Sequence, residues 1–495
     1  MTTRNPIASI AVLGGGIIGL SAAIAFARAL PGLAVTLIET PDDPAALADR
    51  LPGTLSSIAE FHDRIGLGER DLLAAGATHH LGTRLSDWSA DGTPFVLAHG
   101  ERGGTVAPGA FHQHWLNARR TGKVGAFEAF SVATVLAAAD RFVHPSDDPT
   151  SPVSGFGYSL RLDPPRYRDL LRALARHIGI VPSSGTFAGI ERGTDGSVAA
   201  LVLADGRRVV ADLYLDCSGP TAALRSALDT QSEDKRWEDW RPWLPVDRLL
   251  LGTASVRMPT PTDDLVGVPA GWRFEHPLRD RTLVGLAYTS QQTPDSSARR
   301  ILPAGDTVVA LAPGVRPAPW RHNVLALGDA AVVLDPLAGA NLHLAHAAIL
   351  RAIDLLPGRD CAPTELAEYN QRSYRQAARV RDYQAAHYLP TGRTRGPFWK
   401  VAARLPRPDS LAQTLEQFAH RGRLPFYEDE SFDKDDWHGL LLGLGVIPRV
   451  PDPIASAADP VAVADALKRL AASTAALPPR LPAYPAYLAQ MERSR

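Results

Sequence analysis

Three glycines near the start of the chain have the spacing of a phosphate-binding turn. Gly14, Gly16 and Gly19 follow an apolar segment at 7–13 and precede a helix-favouring run at 20–30. In this pattern the first glycine permits a tight turn, the second lets the backbone approach a pyrophosphate, and the third lets helix and strand pack closely. Because the helix N-terminus also offers free N–H groups to phosphate, the chemistry predicted here is dinucleotide binding.

A strand–helix–strand unit must position these glycines. Its second strand, at 34–38, ends at Glu39, which lies 20 positions after Gly19. An acidic side chain at this distance holds a ribose 2′-hydroxyl and repels the 2′-phosphate of NADP. A glycine turn that binds nothing is the alternative, but the flanking strands and Glu39 favour a dinucleotide site.

A second group of motifs, placed around a strand at 323–327, indicates which dinucleotide is bound. Its residues are Gly328, Asp329, Pro336, Gly339 and Asn341. Their order resembles that of the FAD-dependent aromatic hydroxylases, in which the aspartate contacts the ribityl chain and the later stretch brings a helix N-terminus toward the flavin. Such a dipole stabilises negative charge on reduced flavin. An ordinary helix N-cap is the alternative for Asp329; we predict FAD rather than NAD.

Two histidines and two aromatic residues are candidates for the reaction itself. His80, whose imidazole type ordinarily titrates near neutral pH, suits general base work or hydrogen bonding to an oxidised intermediate. His276, beside Pro277, would face the flavin or the substrate. Trp272 and Phe274 alternate as residues on one strand face do, and together they would form an aromatic wall that stacks on a flat substrate. Structural roles are the open alternatives: satisfied histidines and aromatic core packing.

Taken in order, these motifs resemble those of the flavin-dependent tryptophan halogenases along nearly the whole chain. The matching blocks are 53–67, 161–167, 211–219, 271–278, 381–388, 397–399, 408–411 and 437–448. The resemblance implies FAD as cofactor and a small aromatic substrate. It also implies a separate flavin reductase that supplies reduced FAD, since no second glycine motif for NADPH is visible.

The resemblance fails at the residues that carry halogenation in the family. There, halide is oxidised to hypohalous acid, which passes to a lysine, and a glutamate assists with protons. The aligned positions hold His80 and Ala338, and no lysine precedes Lys123. The family's Trp-x-Trp-x-Ile-Pro signature, associated with keeping substrate away from the flavin, has Phe274 and His276 in place of its second tryptophan and its isoleucine.

The function we favour is therefore FAD- and O2-dependent oxidation, by monooxygenation or dehydrogenation, of a bulky aromatic or indole-like small molecule. Halogenation with His80 replacing the lysine is one alternative. A flavin-binding protein without catalysis, acting as a sensor or as a partner in a biosynthetic complex, is another.

Composition limits the partners and the compartment. A net charge of -1 over 495 residues argues against a nucleic-acid partner. Two cysteines suit a reducing compartment and give no disulfide framework, and we expect no metal site. No apolar run reaches the roughly 20 residues that cross a bilayer, so we expect a cytoplasmic protein that binds no membrane; a homodimer is left open.

The predicted architecture is an α/β, two-dinucleotide-binding-type FAD fold with a Rossmann-like parallel sheet. Alternating strands and helices around the glycine turn favour this class. Residues 1–235 and 305–370 are predicted to form a discontinuous FAD-binding module. Residues 236–304 and 371–495 are predicted to form the substrate-binding module, with an antiparallel sheet and a helical C-terminal region.

Overall fold

The strands fall into groups separated by helices. A computed structural model describes residues 6–493, apart from 42, 90, 123, 230–236 and 391–395. In chain order its strands are β1 (Ser9–Leu13), β2 (Ala34–Glu39), β3 (Thr78–His80), β4 (Gly82–Ser86), β5 (Phe95–Ala98), β6 (Ser159–Arg161), β7 (Ser183–Ser184), β8 (Phe187–Arg192), β9 (Val198–Leu203), β10 (Arg208–Val209), β11 (Leu213–Asp216), β12 (Glu238–Asp239), β13 (Arg248–Ala254), β14 (Thr262–Val268), β15 (Gly271–Pro277), β16 (Thr282–Tyr288), β17 (Gly305–Ala310), β18 (Gly314–Val315), β19 (Trp320–Arg321), β20 (Val324–Ala326) and β21 (Val332–Val333).

The helices concentrate toward the C-terminus. They are α1 (Ile17–Ala29), α2 (Ile58–Ile65), α3 (Glu69–Ala74), α4 (Phe111–Arg120), α5 (Val132–Ala138), α6 (Pro164–His177), α7 (Ala223–Leu228), α8 (Asp295–Ile301), α9 (Ala340–Asp354), α10 (Pro363–Ala386), α11 (Pro397–Ala402), α12 (Asp409–Arg421), α13 (Lys434–Gly443), α14 (Pro453–Ala457), α15 (Pro460–Ala475) and α16 (Tyr484–Arg493). Short 3-10 turns lie at Leu47–Asp49, Phe127–Phe130, Gly328–Ala330 and Pro478–Arg480. Within the described ranges, no helix is both long enough and apolar enough to span a bilayer.

The chain divides into two compact units, each built from three segments. The first comprises Met1–Ala77, Leu162–Asp247 and Val309–Arg381, and the second comprises Thr78–Arg161, Arg248–Val308 and Asp382–Arg495. The predicted FAD-binding module includes residues 78–161, whereas in the structure this segment clusters with the second unit. The segment joins the second unit because β4 pairs in parallel with β14. The predicted boundary between 235 and 236 lies outside the described residues.

The first unit is organised around a sheet in the order β19-β20-β11-β1-β2-β7. β1 pairs in parallel with β11 on one side and with β2 on the other. Ile10 to Leu13 are all buried, as expected when both faces of a parallel strand are covered. α1 packs against α6 and α9. This is the predicted Rossmann-like arrangement.

The second unit contains a sheet in the order β17-β13-β16-β15-β14-β4-β5. The β13–β16, β16–β15, β15–β14 and β4–β5 pairs are antiparallel, and β14 pairs in parallel with β4. A separate two-stranded pair, β3 with β6, brings Thr78 opposite Arg161 and His80 opposite Ser159. Helices α11 to α16 belong to this unit, which confirms the predicted antiparallel sheet and helical C-terminal region.

Candidate active site

The predicted phosphate-binding turn connects β1 to α1. Gly14 has a φ of 120°, and its N–H donates to the Ile38 carbonyl at 2.9 Å. A Cβ on Gly14 would lie 2.2 Å from the Cys217 carbonyl oxygen, and one on Gly19 would lie 1.8 Å from the Gly14 carbonyl oxygen. Backbone therefore approaches both positions so closely that only glycine fits.

Gly16 is the residue just before α1, and its missing side chain leaves room for a carboxylate. The Ile17 N–H donates to Asp49 Oδ1 at 2.9 Å. A Cβ on Gly16 would lie 2.5 Å from Asp49 Oδ2. Asp49 was not among the predicted site residues, since its turn lies some 30 positions along the chain. Together with Arg50 and Arg168 it lines a cleft at the glycine turn.

Glu39 ends β2, as predicted, and it is held there by an arginine of α6. Arg172 Nε donates to Glu39 Oε1 at 3.0 Å, and Arg172 Nη2 lies 3.0 Å from the same oxygen. Both side chains line a second cleft with Gly15 and Gly185. Arg172 thus orients the carboxylate that we predict for the ribose, and no sequence motif indicates this arginine.

Asp329 lies in a buried 3-10 turn that begins at Gly328, whose φ is 60°. The Leu47 N–H donates to Asp329 Oδ2 at 2.9 Å. Burial, together with the negative charges of Asp49 and Asp43, raises the pKa of Asp329 to about 7. The N-cap of α9 is Gly339, so the alternative reading of Asp329 as that cap is wrong.

The remaining predicted cofactor residues lie at the start of α9. Gly339 has a φ of 62°, and a Cβ there would lie 3.0 Å from the Gly53 carbonyl carbon. Pro336 is in the loop before the helix, and Asn341 is in its first turn. The close approach of two backbones at Gly339 explains why this motif needs glycine. The glycine cradle and the buried Asp329 carboxyl fit a bound dinucleotide.

The second unit brings both predicted catalytic histidines into one buried cluster. Strand register starts it, because His80 on β3 lies opposite Ser159 on β6. His80 Nδ1 lies 3.0 Å from His99 Nε2 and 3.1 Å from Ser159 Oγ. The same Ser159 Oγ is 2.9 Å from His99 Nε2. The Nδ1 atom of His80 thus has two hydrogen-bonding partners, His99 and Ser159.

Asp263 on β14 joins the other side of this cluster. Its Oδ2 lies 3.3 Å from His80 Nε2 and 3.0 Å from His276 Nδ1. Its Oδ1 accepts from Arg161 Nε at 2.8 Å and lies 2.5 Å from Arg161 Nη2. Neither Asp263 nor the role of Arg161 was predicted. One feature of the sequence could have indicated Asp263. It alternates with Leu265 along the strand, which places a carboxylate on the same face as an apolar side chain.

Burial and charge set the protonation of the cluster. Burial lowers the pKa of His80 to about 4 and that of His99 to about 3. Burial alone would raise the pKa of Asp263, but the charges of Arg161, His276 and His80 hold it well below its usual range. At pH 7, Asp263 and Arg161 therefore form a buried ion pair beside a neutral His80.

The two predicted aromatic residues share one face of β15 and are enclosed by protein. Trp272 is 0% exposed and Phe274 is 2% exposed, with ring centroids 6.1 Å apart. Trp272 Nε1 donates to the Tyr388 hydroxyl at 3.1 Å. The Phe274 ring lies 4.7 Å from that of His276. Core packing describes both aromatic side chains; contact with substrate stays a prediction.

Comparison with known proteins gives one consistent family. The tryptophan halogenase family profile matches residues 9–460. The chain is 24% identical to tryptophan 7-halogenase KtzQ of Kutzneria sp. (strain 744), over 91% of each sequence. It also superposes on BrvH, a flavin-dependent halogenase from Brevundimonas sp. BAL3, with a TM-score of 0.90 and 31% identity, covering 98% of this chain and 99% of the other.

A second solved structure agrees. Xcc4156, a flavin-dependent halogenase from Xanthomonas campestris, gives a TM-score of 0.90 at 28% identity, with 98% of this chain and 99% of the other covered. The family profile spans most of the chain, and both solved structures share its fold. The chain therefore belongs to the tryptophan halogenase family and uses FAD as its cofactor.

Proposed function

We propose that this member of the family catalyses halide-independent, O2-dependent oxidation of a bulky aromatic or indole-like molecule. The oxidation is a monooxygenation or a dehydrogenation. A separate flavin reductase delivers the reduced FAD. Reduced FAD, when bound, supplies the electrons that activate O2.

One observation carries the proposal. The resemblance aligns His80 with the family's halogenating lysine, and His80 is a buried imidazole whose pKa is lowered to about 4 by burial. A lysine ammonium would present a charged donor and an amine that hypohalous acid converts to a chloramine. His80 is neutral at pH 7, and its neighbours Asp263 and Arg161 neutralise each other. Ala338, at the aligned glutamate position, offers no carboxylate.

In this proposal the chain's own residues have three tasks. The glycine turn and the N-terminus of α1 hold phosphate, Glu39 holds a ribose, and Asp329 meets the ribityl chain. His80 and His276 exchange protons with the substrate during the oxidation, and the lowered pKa of His80 leaves that imidazole neutral at pH 7 before the reaction. Asp263 positions both imidazoles from one carboxylate oxygen.

Halogenation through His80 is the second candidate, favoured by the 31% identity to a flavin-dependent halogenase. It requires an imidazole nitrogen to displace hydroxide from hypohalous acid, giving an N–halogen bond and water once the ring proton is lost. His80 Nδ1 already contacts His99 and Ser159, and His80 Nε2, which makes no hydrogen bond to the described residues, is buried 3.3 Å from Asp263 Oδ2. This enclosure is why we place halogenation second.

Stopped-flow reoxidation separates the candidates. The protein is loaded with reduced FAD and mixed with O2 and an indole panel, in buffers with bromide, with chloride or with neither. We expect substrate to change the reoxidation kinetics and to be oxidised equally in all three buffers. Product that forms only with halide would establish halogenation and refute the proposal. Reoxidation that ignores every substrate, without product, would identify a non-catalytic flavin binder.

Restoring the family's residues provides a second test. His80→Lys places an ammonium beside the Asp263–Arg161 ion pair, and Ala338→Glu restores the aligned carboxylate. We expect the double variant to gain bromide-dependent products that the native chain lacks, with each single variant giving less. If the native chain already brominates as well as the double variant, the lysine is dispensable and our assignment is wrong.

A further inference from the structure

A carboxylate from outside α1 lies at that helix's N-terminus. Asp49 Oδ1 accepts the Ile17 N–H at 2.9 Å, while α1 itself has no acidic residue in its first turn and no side-chain cap. Asp49 comes from the 3-10 turn Leu47–Asp49. That turn is tied at its other end, where the Leu47 N–H donates to buried Asp329. Asp49 is therefore directed onto the helix by a docked turn.

The groups that Asp49 contacts are those that a pyrophosphate uses. Its Oδ2 lies 2.5 Å from the position of a Cβ on Gly16, the glycine that lets backbone and phosphate meet. Arg168 Nη1 lies 3.9 Å from Asp49 Oδ1, and both side chains line the cleft at the glycine turn. An anion at a helix N-terminus is stabilised by the free N–H groups and the helix dipole.

We propose that Asp49 competes with the pyrophosphate of FAD for the N-terminus of α1 and so weakens flavin binding. One N–H cannot donate fully to a carboxylate and a phosphate together, and two neighbouring anions repel each other. Binding of FAD therefore requires the Asp49 carboxylate to leave Ile17. A flavin that exchanges readily with solution would suit delivery by a separate reductase, and this consequence rests on the proposed function. The weakened affinity for FAD does not depend on that proposal.

Equilibrium titration of the full-length chain tests this without any turnover. The variants are Asp49→Ala, which removes the carboxylate, and Asp49→Asn, which keeps its shape without its charge. The probes are FAD, ADP and riboflavin. We expect FAD and ADP to bind Asp49→Ala about three- to tenfold more tightly than the native chain, in line with the usual strength of a charge at a helix terminus. Riboflavin, which lacks pyrophosphate, should bind both alike.

Asp43→Asn is the matched control, because Asp43 lines the same cleft and its Oδ1 accepts from the Ala45 N–H rather than from α1. We expect it to tighten FAD binding less than either Asp49 variant does. Unchanged or weaker FAD and ADP binding by both Asp49 variants would overturn the proposal. Equal tightening by Asp43→Asn would also overturn it, since the effect would then be general charge in the cleft. Circular dichroism of each variant verifies folding.

Discussion

At the scale of single residues, Asp263 is the group on which the buried cluster depends. One of its oxygens meets Arg161 and the other meets His80 and His276. A buried ion pair loses far more when one partner is removed than when both are, because a lone buried charge cannot be compensated. The carboxylate thus supports the fold as well as the arrangement of the two imidazoles.

This role predicts a large and specific loss of stability. Asp263→Asn keeps the volume of the side chain but leaves the Arg161 guanidinium buried without its counter-charge. We expect the free energy of unfolding to fall by about 3–5 kcal/mol, measured by urea denaturation. The control is Asp264→Asn on the same strand, whose partner Arg84 is partly exposed; we expect it to cost under about 1 kcal/mol. Equal losses in the two variants would contradict the account.

The sequence allowed prediction of those site residues whose identity is dictated by close approach of the backbone. Positions 14 and 19 require glycine because neighbouring backbone leaves no room for a Cβ. The spacing of the glycines in the sequence is enough to predict this requirement. Asp263 could not be found in this way. Its partners Arg161 and His80 lie 102 and 183 positions earlier in the chain. Only the pairing of distant strands brings these three residues together.

At the scale of elements, the junction of β1 with α1 permits no side chain at Gly19. A Cβ there would lie 1.8 Å from the Gly14 carbonyl oxygen, so the helix or the turn must shift. We expect Gly19→Ala to cost about 1–3 kcal/mol of stability, as overpacking usually does, and to weaken FAD binding. Gly189→Ala on β8 is the control, because a Cβ there meets nothing within 4 Å. Thermal melts and FAD titration measure both; a Gly19→Ala protein that resembles the control would contradict this packing.

The order of elements was largely predictable, whereas their grouping was not. Apolar strands alternating with a helix around a glycine turn identify a parallel sheet from local pattern, and β1, β2 and α1 confirm it. The parallel pairing of β4 with β14 joins strands 180 residues apart, as Gly82 and Thr262 show. No local pattern encodes that pairing, so the sequence could not reveal that residues 78–161 cluster with the second unit.

At the scale of the whole molecule, many histidines are buried as neutral imidazoles. Burial lowers the pKa to about 3 or 4 at His62, His80, His99, His112, His343 and His387. In the unfolded chain each titrates near 6.5. Between pH 6.5 and 4 the unfolded state thus binds more protons, so stability falls as the pH falls through this window.

The predicted slope is about 1.4 kcal/mol per pH unit for each such histidine. Urea denaturation at pH 7.5, 6.5 and 5.5 should show a steep loss of stability below pH 6.5. His99→Gln should reduce the slope by up to that amount. A stability that stays constant or rises on acidification would show that these imidazoles are not buried in neutral form.

The central claim is that this family member oxidises its substrate without halide, and product analysis tests it most directly. The chain, reduced FAD and an indole panel are incubated under 18O2, with and without bromide, and the products are analysed by mass spectrometry. We expect identical products in both samples, carrying one 18O atom after monooxygenation or having lost two hydrogens after dehydrogenation. Brominated product that appears only with bromide, and no oxidised product without it, would contradict the account.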